Sequence, residues 1–332
     1  MDARTPGPGQ LPWLSGLAQR WHHRRTFLAN DIPTQHEIAA LKIASGDRVS
    51  VVLPALNESG TIGAICSAIR DELIPARIVD ELIVVDCASD DSTREVSEAA
   101  GARVFDVSEL TPELEVEAGK GEALWRSLSI VEGDIVVWID SDIRNFTPSF
   151  VGRLVAPLVA DPTIAYVKGY YRRPIARGDE LFPDEGGRVT ELLARPLLTT
   201  FFPELAGFAQ PLAGEYAGRV ETMKRVPFFT GYSVEVGLLI DLIGEVGLDA
   251  LAQVDLGERV HRNRPLRQLR PIAHAIAGTI LKRAEETGRL RLPGGTPRSP
   301  FLRSTPDGLE VHETREVERP PMNTIDSDEA AG

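Results

Sequence analysis

The sequence predicts an α/β fold built around a mostly parallel β-sheet with helices on both faces. Short, strongly apolar runs of strand length alternate with segments of helical periodicity from Val49 onward. Two of these runs end in an aspartate, Asp86 and Asp140. Sheets of this type bind ligands beyond the carboxyl ends of their strands, so we expect the functional site to lie there.

The elements follow one another at regular spacing. Residues 13–45 are expected to form helical turns that pack on the main body, and everything after Pro293 is expected to be an extended tail. The expected strands are 49–54, 81–86, 102–105, 134–140 and 164–167. The expected helices are 61–73, 91–100, 119–131, 189–201, 233–246 and 266–287.

Composition excludes several classes of protein. The net charge of -13 argues against a nucleic-acid partner, because it would repel a phosphate backbone. The most apolar stretch, 236–248, is interrupted by Asp241 and Glu245, so no transmembrane segment is expected. Cys66 and Cys87 have neither metal-ligand nor disulfide spacing, which favours a reducing, cytoplasmic location.

The triplet Asp140-Ser141-Asp142 directly follows an apolar strand. Two carboxylates one residue apart on an extended segment point the same way and can hold a hard divalent cation that bridges to phosphates. The alternative is a pair of loop aspartates that cap the helix starting near Thr147. The position after the strand favours the cation site and indicates transfer of a sugar from a nucleotide donor.

Other segments have equally open interpretations. Pro54 to Glu58 lacks a Gly-rich signature and suits recognition of a base or ribose, or is a turn with a helix cap. Lys120, between two glycines at a helix start, faces an anion or lies on the surface. The turn 186–191 is an anion site or a loop-to-helix junction. The basic segment 259–270 holds five arginines and is a phosphate site or a solvated face that pairs with acids elsewhere. Its His261 is a third metal ligand or structural.

Several of these segments, in this order, resemble the glucosyl-3-phosphoglycerate synthases, which are retaining glycosyltransferases of the GT-A fold. The resemblance spans about Val49 to Met322 and lies in VVLPALNES, VDELIVVD, GKGEALWRSL, GDIVVWIDSDI, YYRRP, GGRVTELLARPLL, QPLAGEYAGR, GYSVEVGLLID and QVDLGERVHRNRPL.

The resemblance implies transfer of glucose from UDP-glucose to the 2-hydroxyl of 3-phospho-D-glycerate, with Mg²⁺ (Mn²⁺ also possible) and a homodimeric enzyme. The chain is expected to divide into an N-terminal extension at 1–45, a nucleotide-sugar-binding region at 46–170, an acceptor-binding and catalytic region at 171–290 and a C-terminal tail at 291–332. The residues that the resemblance assigns to catalysis are Asp140, Asp142, Lys120 and Glu235. Those that it assigns to the donor are Pro54, Ala55, Leu56, Glu58, Cys87, Lys120, Ser141, Tyr232 and Glu235. Those that it assigns to the acceptor are Gly187, Arg188, Thr190 and Asn263, with Asp142 and His261 as metal ligands.

One departure from the family touches the donor site. Cys87 stands in the run Asp86-Cys87-Ala88-Ser89, where the family usually has Ser, and a thiol is the weaker hydrogen-bonding group. The alternatives are a mannosyl-3-phosphoglycerate synthase that uses GDP-mannose, a polyprenyl-phosphate glycosyltransferase and a nucleotide-sugar-binding regulatory protein.

Overall fold

The structure is a computed structural model. It describes residues 14–172, 175–177, 180–182, 187–259, 265–293, 300–306, 308–312, 314 and 316–329. Within these ranges, no helix is both long and apolar enough to cross a lipid bilayer.

The predicted alternation of strands and helices is present. The helices are α1 Leu14–Arg25, α2 Gln35–Ser45, α3 Ile62–Ala68, α4 Thr93–Ala99, α5 Lys120–Ser127, α6 Ser149–Ala160, α7 Arg195–Phe201, α8 Val220–Met223, α9 Val234–Glu245, α10 Leu266–Glu286 and α11 Met322–Glu329. The strands are β1 Thr26–Phe27, β2 Val49–Ala55, β3 Glu81–Asp86, β4 Arg103–Asp106, β5 Ile135–Trp138, β6 Tyr166–Arg172, β7 Ile175–Arg177, β8 Glu180–Phe182, β9 Tyr216–Arg219, β10 Phe228–Phe229, β11 Leu251–Glu258, β12 Phe301–Thr305, β13 Gly308–His312 and β14 Glu318–Arg319. One π-helical turn extends α3 and another precedes α7.

The main sheet has eight strands in the described part of the chain, in the order β1-β11-β6-β9-β5-β2-β3-β4. All neighbouring strands are parallel except β9, which runs antiparallel to both β5 and β6. This confirms the predicted α/β class with a mostly parallel sheet. Because β9 is reversed, its first residue, Tyr216, lies opposite Trp138 at the carboxyl end of β5.

The antiparallel direction of β9 determines which segments lie together at the edge of the sheet where the site is expected. The carboxyl ends of β2, β3, β5, β6 and β11 lie at one edge of the sheet, together with the amino end of β9. Segments that follow β2, β5 and β11 therefore approach the segment that precedes β9. Two buried apolar clusters, one on each face of the sheet, hold these strands in place.

The terminal segments are parts of the fold. Strand β1 joins the main sheet next to β11, and Trp21 of α1 is fully buried. The prediction of an extended tail after Pro293 is wrong for the described residues, because β12 and β13 form a hairpin and β14 pairs with β10. Strands β12 and β14 lack the alternating apolar pattern that indicates a strand in a sequence, and in β13 the alternation is limited to Leu309 and Val311.

Lys168 of β6 is the least expected residue in the core. Its side chain is 1% exposed, and its Nζ lies 4.4 Å from the ring centroid of Tyr216 and 3.3 Å from Tyr166 Oη. Burial lowers the pKa of Lys168 to about 7, although the charge of Glu235 partly opposes this. The fold therefore contains a buried amine whose charge is poorly compensated.

We expect Lys168→Met to stabilise the protein at pH 6.5 and to flatten its pH dependence. Between the folded pKa near 7 and the ordinary value of 10.5, the unfolded chain holds a proton that the folded chain has released. The free energy of unfolding of the wild type should therefore rise with pH in this window relative to the variant. Urea unfolding of both proteins from pH 6.5 to 10 measures this, and a constant difference between them would contradict the prediction.

Candidate active site

A cavity of about 660 Å³ opens at the carboxyl edge of the sheet and adjoins a second cavity of about 1460 Å³. It brings together the predicted site residues that the structure describes, namely Pro54, Ala55, Leu56, Glu58, Cys87, Lys120, Asp140, Ser141, Asp142, Gly187, Arg188, Thr190, Tyr232 and Glu235. The other two, His261 and Asn263, lie outside the described residues. Segments far apart in sequence therefore share one space, and this supports a common role.

The end of β2 and the Asp140-Ser141-Asp142 triplet are tied directly to each other. The Ser141 hydroxyl donates to the carbonyl oxygen of Pro54 at 2.8 Å, and the Thr61 hydroxyl donates to the carbonyl oxygen of Ser141 at 2.6 Å. The Ser141 hydroxyl thus faces β2, and all three residues of the triplet line the cavity. The triplet does not cap the following helix, because α6 begins at Ser149 without a side-chain cap.

The two aspartates differ in their surroundings. Asp140 accepts from Lys120 Nζ at 2.5 Å through one oxygen and from Arg259 Nη2 at 2.9 Å through the other. Burial alone would raise the pKa of Asp140, but the charges of Lys120 and Arg259 outweigh it and hold that pKa well below its usual range. Asp142 accepts from Arg259 at 2.7 Å, and its side chain is 35% exposed to the cavity.

Lys120 occupies the helix start that the sequence predicted. It is the first residue of α5 and follows Gly119, whose φ of 127° a glycine adopts readily. A side chain at Gly119 would also meet the carbonyl oxygen of Thr230 at 2.5 Å. Lys120 Nζ lies between Asp140 and Glu235, 2.9 Å from the latter, so the ammonium is fixed at the cavity wall.

Glu58 lies on the same wall of the cavity, and its pKa shows that this wall is rich in negative charge. Burial raises the pKa of Glu58, and the nearby charges of Asp142 and Asp140 raise it further. A cluster that already destabilises its own carboxylates is one in which a divalent cation would be favourable. Among the described residues, no three metal-ligating side chains cluster, so any third ligand must come from elsewhere, as His261 is predicted to do.

Cys87 lines the cavity next to the end of β3. Its backbone N–H donates to the carbonyl oxygen of Ala55 at 2.8 Å, which joins the two strand ends. Burial, followed by the charge of Asp86, raises the pKa of the Cys87 thiol to about 12. The thiol is therefore neutral at physiological pH and offers only a weak donor.

The turn at Gly187 lines the same cavity as the strand ends of β2 and β3. Gly187 has a φ of 75°, and the segment after it continues through a π-helical turn into α7. Thr190 is 5% exposed, and Arg188 is half-buried. Both residues also line the cavity, as the anion-site interpretation requires.

Sequence reasoning missed three residues of the site. Gly214 and Glu215 precede β9, and the reversal of that strand places them beside the triplet. The sequence identifies Arg259 only as part of a basic segment that is a phosphate site or a solvated face paired with acids elsewhere. Arg259 does pair with acids, namely Asp140, Asp142 and Glu215, but it is 4% exposed and therefore not solvated.

Comparisons with known proteins agree with this geometry. Glycosyl transferase family 2 matches residues 50–202. The glucosyl-3-phosphoglycerate synthase of Petrotoga mobilis is 42% identical over 306 residues, which cover 91% of this chain and 94% of that protein. The enzyme of the same name from Mycobacterium tuberculosis is 45% identical over 327 residues, which cover 96% of this chain and 94% of that protein.

Two solved structures are similar over nearly their whole length. One is the M. tuberculosis glucosyl-3-phosphoglycerate synthase in complex with Mn²⁺, UDP-glucose and phosphoglyceric acid, with a TM-score of 0.79 and 42% identity over 91% of this chain and 98% of that chain. The other is the mannosyl-3-phosphoglycerate synthase of Rubrobacter xylanophilus, with a TM-score of 0.84 and 40% identity over 93% of this chain and 98% of that chain. These similarities confirm the GT-A fold that the sequence predicted. This chain belongs to the glucosyl-3-phosphoglycerate synthase family.

Proposed function

We propose that this protein transfers glucose from UDP-glucose to the 2-hydroxyl of 3-phospho-D-glycerate with retention of configuration. The observation that carries the proposal is one cavity that joins the Asp140–Asp142 triplet and Lys120 to the turn at Gly187. A nucleotide diphosphate needs cationic partners, and a phosphorylated carboxylic acid needs an anion-binding turn. The chain offers both within one cavity.

The nucleotide is placed against the ends of β2 and β3. Pro54, Ala55, Leu56, Glu58 and Cys87 line that part of the cavity. Leu56 is 55% exposed and offers an apolar surface to a base, while the backbone groups around it can bind base and ribose edges. A purine is larger than uracil, so this region is where UDP and GDP donors would be told apart.

The divalent cation would be held by Asp142 and His261. Asp142 offers a carboxylate oxygen to a hard cation, and the nearby charge of Glu58 adds to the negative charge that favours one. When bound, the cation neutralises the diphosphate and makes it a better leaving group.

Lys120 supplies a fixed positive charge on the same wall. Burial would lower the pKa of Lys120, but Asp140 and Glu235 raise it strongly, so the ammonium stays charged throughout the physiological range. We propose that it binds the departing phosphate. A charge that is already oriented stabilises the transition state without rearrangement.

The sugar lies beside Tyr232 and Glu235 in this proposal. Tyr232 is 42% exposed at the cavity, and Glu235 is 6% exposed and paired with Lys120. The C1–O bond to the donor phosphate breaks while the acceptor 2-oxygen bonds to C1 on the same face. The acceptor proton passes to a donor phosphate oxygen, so no covalent enzyme intermediate is needed.

We expect Glu235→Gln to keep measurable activity and to form no glycosyl-enzyme. Glutamine can still accept a bond from a sugar hydroxyl, although it loses its ion pair with Lys120. A moderate rise in KM for the donor is therefore the expected effect. Intact-protein mass spectrometry during slow turnover tests this, and an added hexose on the wild type but not on the variant would make Glu235 a nucleophile.

The acceptor is placed at Gly187, Arg188, Thr190 and Asn263. Backbone N–H groups at the turn, the Thr190 hydroxyl and the Arg188 guanidinium form a set that suits the phosphate and carboxylate of 3-phosphoglycerate. The homodimer, which the resemblance implies, and the cytoplasmic location, which the cysteine pattern favours, stay predictions.

A panel of donors and acceptors tests the proposal. UDP-glucose, GDP-glucose and GDP-mannose are each supplied with 3-phosphoglycerate and Mg²⁺ or Mn²⁺, and product formation is measured by mass spectrometry. UDP-glucose is expected to give the highest kcat/KM. The likeness to the R. xylanophilus enzyme makes GDP-mannose the second candidate, and a preference for it would replace glucosyl with mannosyl transfer. Turnover only with a polyprenyl phosphate acceptor would contradict the proposed acceptor.

A further inference from the structure

Arg259 lies immediately after β11 and is surrounded by carboxylates. Its guanidinium contacts Asp140 Oδ2 at 2.9 Å and Asp142 Oδ1 at 2.7 Å through the same nitrogen, Nη2. The other terminal nitrogen, Nη1, lies 3.0 Å from Glu215 Oε1 and donates to Tyr171 Oη at 2.8 Å. The buried Arg259 guanidinium therefore connects the two aspartates of the triplet to the carboxylate of Glu215.

The guanidinium is fixed from the side away from the cavity. Glu215 is fully buried, and the Arg259 backbone N–H donates to the carbonyl oxygen of Arg172. An isolated carboxylate at the position of Glu215 would be strongly unfavourable, so the pair is held together by the cost of separating it. The Arg259 guanidinium consequently stays in place when the side chains of Asp140 and Asp142 move.

Arg259 and Lys120 together occupy both oxygens of Asp140. Lys120 takes Oδ1 and Arg259 takes Oδ2, and the Asp140 side chain is 21% exposed. Among the described residues, Arg259 is the only cation bonded to Asp142, through Oδ1, and the Asp142 side chain is 35% exposed. Lys120 and Arg259 therefore occupy the carboxylate of Asp140 more fully than Arg259 occupies that of Asp142.

We infer that Arg259 is a positioning residue that decides which aspartate of the triplet can bind the divalent cation. Together with Lys120, Arg259 occupies both oxygens of Asp140 and so keeps Asp140 from binding the divalent cation. Asp142 is then the aspartate that binds it. Asp140 then stays beside Lys120, where it orients the ammonium toward the donor. This inference rests on the cation site of the proposed function.

Binding of Mn²⁺ tests the inference without any turnover. We expect Arg259→Gln to bind Mn²⁺ about tenfold more tightly or better, because Asp140 gains a free oxygen and a positive charge is lost beside the site. Arg259→Lys keeps the charge and should stay near the wild-type affinity. Titration of Mn²⁺ followed by electron paramagnetic resonance, with and without UDP, measures these constants.

Two double variants make the result specific. Arg259→Gln with Asp140→Asn removes the released carboxylate and restores the local net charge, so its Mn²⁺ affinity should return to near the wild-type value. Arg259→Gln with Glu215→Gln removes the carboxylate left behind, so that a folded protein is available if the single variant is unstable. Tighter Mn²⁺ binding should persist in this second double variant.

The outcomes separate the inference from the proposed function. If the wild type binds Mn²⁺ and neither Arg259→Gln nor its Glu215→Gln double variant binds it more tightly, Arg259 does not divide the triplet, and the proposed function stands. If the wild type binds no Mn²⁺ with or without UDP, the cation site and the role of Arg259 both fail.

Discussion

Replacing Asp142 with asparagine is expected to lower kcat by about 10³-fold or more and to abolish the dependence of the rate on Mn²⁺ or Mg²⁺. The carboxylate at 142 is the one member of the triplet whose side chain is both exposed to the cavity and only partly engaged by protein cations. Loss of a catalytic cation costs several kcal/mol of transition-state stabilisation, which corresponds to this factor. Asparagine retains an oxygen that can accept from Arg259, so the fold should survive. The measurement is kcat as a function of Mn²⁺ concentration, with the melting temperature of the same samples.

Asp71→Asn is the matched control. The Asp71 side chain is 60% exposed and pairs with the neighbouring Arg70, far from the cavity. Its activity and metal dependence should equal those of the wild type, since an exposed ion pair contributes little to stability. An Asp142→Asn variant that kept its activity and its metal dependence would remove Asp142 from the cation site.

The second large effect is expected from Gly214→Ala, a change of one methyl group. An added Cβ would lie 2.3 Å from Asp140 Oδ2 and 2.6 Å from Lys120 Nζ. Neither group can yield easily, because Asp140 is held by Lys120 and Arg259 and Lys120 also pairs with Glu235. Displacement of catalytic groups by about 1 Å can cost 10²-fold in rate, so we expect kcat/KM to fall by about that factor or more.

Gly244→Ala provides the control for Gly214→Ala. Gly244 lies in α9, where an added Cβ would meet no atom within 4 Å. Alanine is the better helix former by about 1 kcal/mol, so this variant should be fully active and slightly more stable. Steady-state kinetics and thermal unfolding of both variants decide the matter. Full activity of Gly214→Ala would mean that the Asp140–Lys120 pair is not needed in its present geometry.

The parallel half of the fold was predictable because burial on both faces makes its strands nearly continuous apolar runs. The predicted strand 81–86 has the same limits as β3, and the predicted strand 49–54 matches β2 except for one added residue at its end. Helices were predicted equally well where an apolar face is long, as in α10. The carboxyl ends of parallel strands lie at one edge of the sheet, so the sequence alone predicted that the aspartates at strand ends would meet there.

The antiparallel strand β9 could not be predicted in the same way. Its four residues, 216–219, contain a glycine and end in Arg219, and they show no alternating pattern. Yet the reversal of β9 is what places Gly214 and Glu215 beside the triplet. Contacts that depend on strand order across the sheet leave no local trace in the sequence, so this part of the site was missed.

Arg259 illustrates a different limit. The sequence identifies a segment rich in arginine within an acidic chain, but charge pattern cannot separate a buried ion pair from a solvated face. Only the contacts of Arg259 with Glu215 and the two aspartates distinguish these interpretations. The roles proposed for His261 and Asn263 still rest on the resemblance, since both lie outside the described residues.

The central claim is that the protein transfers glucose with retention to 3-phosphoglycerate. Proton NMR of one reaction mixture containing UDP-glucose, 3-phosphoglycerate and Mg²⁺ tests it most directly. The account predicts that the α-anomeric signal of UDP-glucose decreases while an α-anomeric signal of a glucoside and the signals of UDP appear in equal amounts. A β-glucoside, or free glucose released without any glucoside, would contradict it.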